Sequence, residues 1–134
     1  MGAIDRIKTE TCKQINKILV VDDEPDAVEV ITRMLSELEL EMLTAYGGKD
    51  AIEIARKEHP DLIILDLMMP EVSGFDVVKT LKRDHTTADI PIAICTAKYL
   101  EREDEEVLEG HILGVMQKGQ LDKEKLISYI KSVH

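Results

Sequence analysis

LIILDLMMPEVSG, residues 62–74, drives four aliphatic residues toward a core and sets Asp66 directly at their carboxyl end. Four consecutive aliphatics without alternation predict a strand covered on both faces, the habit of parallel sheets flanked by helices. A carboxylate at the edge of such a core is costly unless it is solvated, paired or used. Pro70 then marks a turn. The fold follows from the first half of this stretch, and the function turns on Asp66.

Working outward, similar apolar runs recur as KILVV at 17–21, EMLTAY at 41–46, DLIIL at 61–65, IPIAIC at 90–95 and GVMQ at 114–117. The second alternates more and the fifth is short, as edge strands tend to be. Helix patterns fill the gaps. Val28, Ile31, Leu35 and Leu38 follow 3-4-3 spacing after Pro25, which suits a first helical position. GGKDAIEIARKEHP is closed by Pro60, and SGFDVVKTLKR opens with Ser73 and Asp76 at capping-box spacing. LEREDEEVLEG gives a fourth helix and LDKEKLISYIKSV a fifth, with Leu126, Ile127, Ile130 and Val133 on one side. Strand and helix alternating through short connections imply a parallel sheet with right-handed crossovers. Residues 1–16 precede this pattern. Ile4, Ile7, Thr11 and Ile15 make one stripe of an extra helix, or the segment is a tail or linker.

The composition narrows the function. A chain of 134 residues suits one domain with a single core. Its 17 basic against 27 acidic residues leave a net charge of -10, which argues against direct nucleic-acid binding. EREDEEVLE at 101–109 reads as a solvated helix face. No apolar run approaches the roughly 20 residues that span a bilayer, and the amino terminus lacks signal-peptide order. The expectation is a soluble, cytoplasmic protein. Cys12 and Cys95 form no CxxC pattern, and Cys95 lies in an apolar run where a buried, reduced thiol is expected.

In an open α/β sheet, functional groups gather outside the carboxyl ends of the strands. Here those ends carry Asp22-Asp23-Glu24, Asp66, Thr96 and Lys118. Clustered carboxylates raise one another's pKa unless a cation lies between them, and a hard divalent ion that keeps several waters fits best, namely Mg²⁺. Lys118 adds a positive charge and Thr96 a hydroxyl donor. Together they form a socket for a transferred phosphoryl group, with Asp66 as carboxylate nucleophile. Taken singly, each residue has a plainer use: the first acids cap a helix, Thr96 ends a strand, and one lysine in a loop signifies nothing. As a set they point to chemistry.

ILVVDDEP, DLIILDLMMPEVSGFDVV, PIAICTAK and VMQKG together resemble the receiver domains of two-component response regulators, over about residues 16–133. The resemblance places the domain at 17–134 and implies a flavodoxin-like, doubly wound five-stranded sheet of order 2-1-3-4-5. It implies aspartyl phosphorylation at Asp66. Asp23 would be a direct Mg²⁺ ligand, Asp22 would act mainly through water, and the carbonyl of Met68 would complete the protein's share of the metal. Thr96 and Lys118 would bind phosphoryl oxygens. A sensor histidine kinase or phosphotransfer protein would donate the group, and a downstream protein would read it. The chain would not be an enzyme beyond its own phosphorylation and dephosphorylation.

Two positions depart from the family's pattern. Gly119 stands where proline usually follows the lysine, and Val115 stands where an aromatic switch is common; Tyr99 is the aromatic nearest to substitute. Rival readings are weaker. A haloacid-dehalogenase-like phosphohydrolase needs a second acid two residues after the nucleophile, where this chain has Met68. No GxGxxG or P-loop pattern is present. A receiver fold that docks without phosphate is the remaining alternative. With no helix-turn-helix or catalytic segment, the chain reads either as a stand-alone receiver or as part of a longer regulator.

Overall fold

The computed structural model describes residues 15–132. The apolar runs form strands β1 (Lys17–Val21), β2 (Glu41–Ala45), β3 (Leu62–Leu65), β4 (Ile92–Thr96) and β5 (Gly114–Gln117). All neighbours pair in parallel, in the order β2-β1-β3-β4-β5. The connecting helices are α1 (Pro25–Met34), α2 (Gly48–Glu58), α3 (Gly74–Arg83), α4 (Arg102–Leu108) and α5 (Lys123–Ser132). This is the flavodoxin-like doubly wound arrangement.

The continuous aliphatic runs are explained by two cores, one on each side of the sheet. Leu19, Val21, Ile63, Leu65, Ile92 and Ile94 face the core shared with α2, α3 and α4. Ile18, Val20, Leu62, Ile64, Ala93 and Cys95 face the one shared with α1 and α5. Strand period two thus splits each run between the cores, and neither side of the central strands can be polar. Alternation continues past β3: Leu67 and Met69 are buried while Met68, between them, is 56% exposed.

Element boundaries differ from the sequence reading in several places. Helix α1 stops at Met34, although Leu35 is fully buried and Leu38 packs on the same core. The carbonyl of Arg33 accepts both the backbone N–H of Ser36 at 3.2 Å and its hydroxyl at 2.8 Å, a tight turn that ends the α-helix. Strand β4 begins at Ile92, two residues late, and runs through Thr96. Pro91 lacks an N–H for the ladder, yet its carbonyl accepts from Ile63 at 3.0 Å. Asp61 lies outside β3, where its carboxylate accepts the N–H groups of Asn16 and Lys17. Helix α4 is shorter than its acidic run, ending before Gly110, which takes φ of 80°. Ser73 and Asp76 do form the capping box that opens α3. Ile4, Ile7, Thr11, Cys12 and Val133 lie outside the described residues; Ile15 packs against the α1–α5 core.

Candidate functional site

Strands β1 and β3 are neighbours, and the chain passes to opposite sides of β1 on leaving and returning. That makes their carboxyl ends the switch point of the sheet, where a crevice opens. The backbone fixes what stands there. Asp22 donates its N–H to Ala45 at 3.1 Å, and Asp66 donates its own to Val21 at 3.0 Å. Both acids therefore continue the ladder just past the strands. They are almost fully buried, at 1% and 2% exposure. Asp23 lies nearer solvent, and the three carboxylates offer oxygens within 4.8 Å of one another.

The loop under Asp66 is clamped by close backbone approach. A methyl group on Gly74 would run into the Asp66 carbonyl oxygen and stand 2.6 Å from Leu67 Cα. One on Gly48 would meet the Val72 carbonyl oxygen at 2.5 Å. The first residues of α3 and α2 thus press on the two ends of this loop. Between them Glu71 holds φ of 65°, a left-handed conformation that costs a non-glycine residue roughly 1 kcal/mol.

Lys118 answers the acids from the end of β5. Its Nζ lies 2.7 Å from Asp22 Oδ2, 3.1 Å from Glu24 Oε1 and 3.5 Å from Asp66 Oδ2. Partial burial works against its charge, but the hydrogen bonds it donates to Asp22 and Glu24 and its attraction to Asp66 outweigh that and lift the ammonium above lysine's ordinary range. Asp66 is also shifted upward. Burial is the main cause and the Asp22 charge the second; Lys118, the Met68 N–H and Thr96 oppose them. The Met68 N–H reaches Asp66 Oδ1 at 3.3 Å, which places that residue at the rim of the site.

Thr96 is fully buried, and its Oγ accepts the N–H of Lys98 at 3.1 Å. Next to it, burial pushes the Cys95 thiol up to about 11, so it stays a buried, protonated thiol as its apolar run suggested. Every residue singled out at the strand ends thus comes together. Three carboxylates face one ammonium, so the socket stays negative and presents only hard oxygen donors. That set fits a divalent cation of the Mg²⁺ type better than a soft metal.

The two departing positions take definite shapes. Lys118–Gln120 form a 3₁₀ turn, and a methyl group on Gly119 would meet nothing within 4 Å. Glycine is therefore not sterically required at 119. Val115 lines a groove of about 770 Å³ beside α4, with Leu108 and Ile112. Tyr99 stands at its rim, 89% exposed. Sequence reasoning missed Gln117, whose Nε2 donates to the Lys98 carbonyl at 3.1 Å, and the ion pair from Lys98 Nζ to Asp104 Oδ2 at 3.4 Å. The first depends on β5 lying against β4 with Gln117 opposite Thr96, a register that no local pattern states; the second depends on how the chain turns from β4 into α4.

Comparison with known proteins agrees with this arrangement. The family model described as the response regulator receiver domain matches residues 18–131. Protein PilH of Pseudomonas aeruginosa is 37% identical over 87 residues, covering 65% of this chain and 72% of PilH. The polar-differentiation response regulator DivK of Brucella ovis is 31% identical over 69% of this chain and 76% of its own length. By contrast, the match to the probable transcriptional regulator ycf27 of Porphyridium aerugineum spans only 34% of that protein. Among solved structures, the Vibrio cholerae chemotaxis protein CheY4 superposes with a TM-score of 0.79 at 26% identity, over 90% of this chain and 99% of that one. With its sheet order, its acidic socket and a family match over nearly all described residues, this chain belongs to the response regulator receiver domains of two-component signalling.

Proposed function

We infer that the domain accepts one phosphoryl group on Asp66, in the presence of Mg²⁺, from a histidine kinase or phosphotransfer protein. The phosphorylated form then changes which protein it binds, in a cytoplasmic signalling pathway. The observation that carries this reading is the buried Asp66 carboxylate set against Asp22, Asp23, Thr96 and Lys118 at the switch point.

Asp66 acts as nucleophile: a carboxylate oxygen forms a bond to phosphorus as the bond to the donor's imidazole nitrogen breaks, and the electron pair of that bond leaves with the imidazole. Asp22, Asp23 and the Met68 carbonyl would hold the metal, with Asp66. When bound, Mg²⁺ supplies positive charge to the phosphoryl oxygens and so eases approach of an anionic nucleophile. The chain does the rest. Lys118 is already charged and within reach, so it can turn from the acids to the added phosphoryl oxygens. The Thr96 hydroxyl, whose oxygen accepts the Lys98 N–H while its hydrogen serves Asp66, can turn that hydrogen to another phosphoryl oxygen.

Beryllofluoride with Mg²⁺ tests the reading by amide chemical shifts. Saturable changes around Asp66, Thr96 and Lys118 that require both additions are expected. No response at saturating Mg²⁺ would instead favour a receiver fold that docks independently of phosphate.

A further inference from the structure

Lys98 uses each of its polar groups on a different element. Its N–H donates to Thr96 Oγ at 3.1 Å, inside the site. Its carbonyl accepts from Gln117 Nε2 at 3.1 Å, on β5 immediately before Lys118. Its Nζ lies 3.4 Å from Asp104 Oδ2, on α4. Asp104 in turn accepts the N–H of Glu101 at 3.0 Å, in the capping box that begins α4. Of the acids at 101–109, Asp104 alone is partly buried; the others are exposed.

We propose that Lys98 is a positioning residue that couples the phosphoryl site to helix α4 through this polar relay, with Gln117 and Asp104 as its two anchors. The proposal rests on phosphorylation at Asp66 and adds a route for its readout. Val115 has no polar group and no aromatic ring, so strand β5 offers no side-chain switch at that position. The relay needs none. When Thr96 Oγ shifts toward a phosphoryl oxygen, the bond it accepts from the Lys98 N–H must follow or break. Gln117 holds the Lys98 carbonyl to β5, so the residue pivots about that bond instead of sliding freely. The motion then reaches Asp104 through Nζ, at the cap that sets the start of α4. Side chains at 31% and 21% exposure are sheltered enough for that ion pair to act as a link, unlike the open acids around it.

The test has two arms, both read by amide chemical shifts of residues 100–109. In the first, beryllofluoride and Mg²⁺ are added to the wild type, to Gln117→Leu and to Asp104→Asn. The Asn side chain still accepts the Glu101 N–H, so the cap survives while the charge is lost. Uptake at Asp66 should match the wild type, whereas the response of α4 should shrink about twofold or more in each variant. In the second arm no phosphoryl analogue is used. Thr96→Val removes the oxygen that accepts the Lys98 N–H, and should move the amides of 101–105 in the wild-type background but not in Asp104→Asn. If Thr96→Val does not fold, Thr96→Ala serves, with Thr96→Ser as the control that keeps the hydroxyl. An α4 response of full size in Gln117→Leu and Asp104→Asn, or one equally large for Thr96→Val in both backgrounds, would overturn the relay. A silent first arm in the wild type beside a transmitted second arm would remove the phosphorylation reading and leave the relay standing.

Discussion

Among the described residues, two clusters of acids behave in opposite ways. At the β1–β3 switch point, Asp22 and Asp66 are at 1% and 2% exposure and share one lysine. On α4 and its flanks, Glu101, Glu103, Glu105, Glu106 and Glu109 are all exposed. The second group is richer in charge, yet water screens it and each acid is nearly independent. The first is poorer in charge, but burial couples its members to one another and to Lys118. Burial, more than the number of carboxylates, makes a site out of acidic residues.

The largest effect that can break this contrast is removal of the shared cation. Lys118→Met should cost about 3 kcal/mol in chelator, because Asp22 and Asp66 stay buried without their ammonium. Denaturant unfolding checks it, and added Mg²⁺ should recover more stability in the variant than in the wild type. Gly74→Ala should cost about 2 kcal/mol, since its methyl group has to displace the backbone of Asp66 and Leu67. Gly119→Ala, with open space around it, should be neutral or slightly stabilising.

A smaller effect sharpens the electrostatics. Asp66 has its pKa raised in the folded chain, so its contribution to stability is fully present below its ordinary 3.8 and is lost as pH rises through the raised value. Metal-free Asp66→Asn should therefore be more stable than wild type at neutral pH, by about 3 °C in melting temperature for each ~1 kcal/mol of relieved repulsion. The gap should close on acidification to pH 3. A gap that stays constant with pH would mean the buried carboxylate is not strained. The smallest effect belongs to the other cluster: Glu105→Gln or Glu106→Gln should stay within about 0.5 kcal/mol of wild type.

Much of this was legible before the fold was known. LIIL, KILV and IAIC announced strands buried on both sides, because each aliphatic in them serves one of two cores. Asp66, Thr96 and Lys118 could be placed at strand ends because a carboxylate, a hydroxyl and an amine stand out against such runs. The sheet order came from resemblance, since periodicity does not say which strand neighbours which. The apolar stripe alone overstates helix α1, because it continues through Leu35 and Leu38, which stay in the core after the helix has turned off at Ser36. Gln117, Lys98 and Asp104 look like ordinary surface polar residues in the sequence. Only the register of β4 against β5 brings the first two together.

The central claim is that Asp66, and no other acid in either cluster, takes up the phosphoryl group. Intact-mass measurement after incubation with acetyl phosphate and Mg²⁺ addresses it directly, on wild type, Asp66→Asn and Asp23→Asn. One added phosphoryl group is expected in the wild type, none in Asp66→Asn, and a strongly reduced fraction at the same Mg²⁺ concentration in Asp23→Asn. Undiminished phosphorylation of Asp66→Asn would contradict the account.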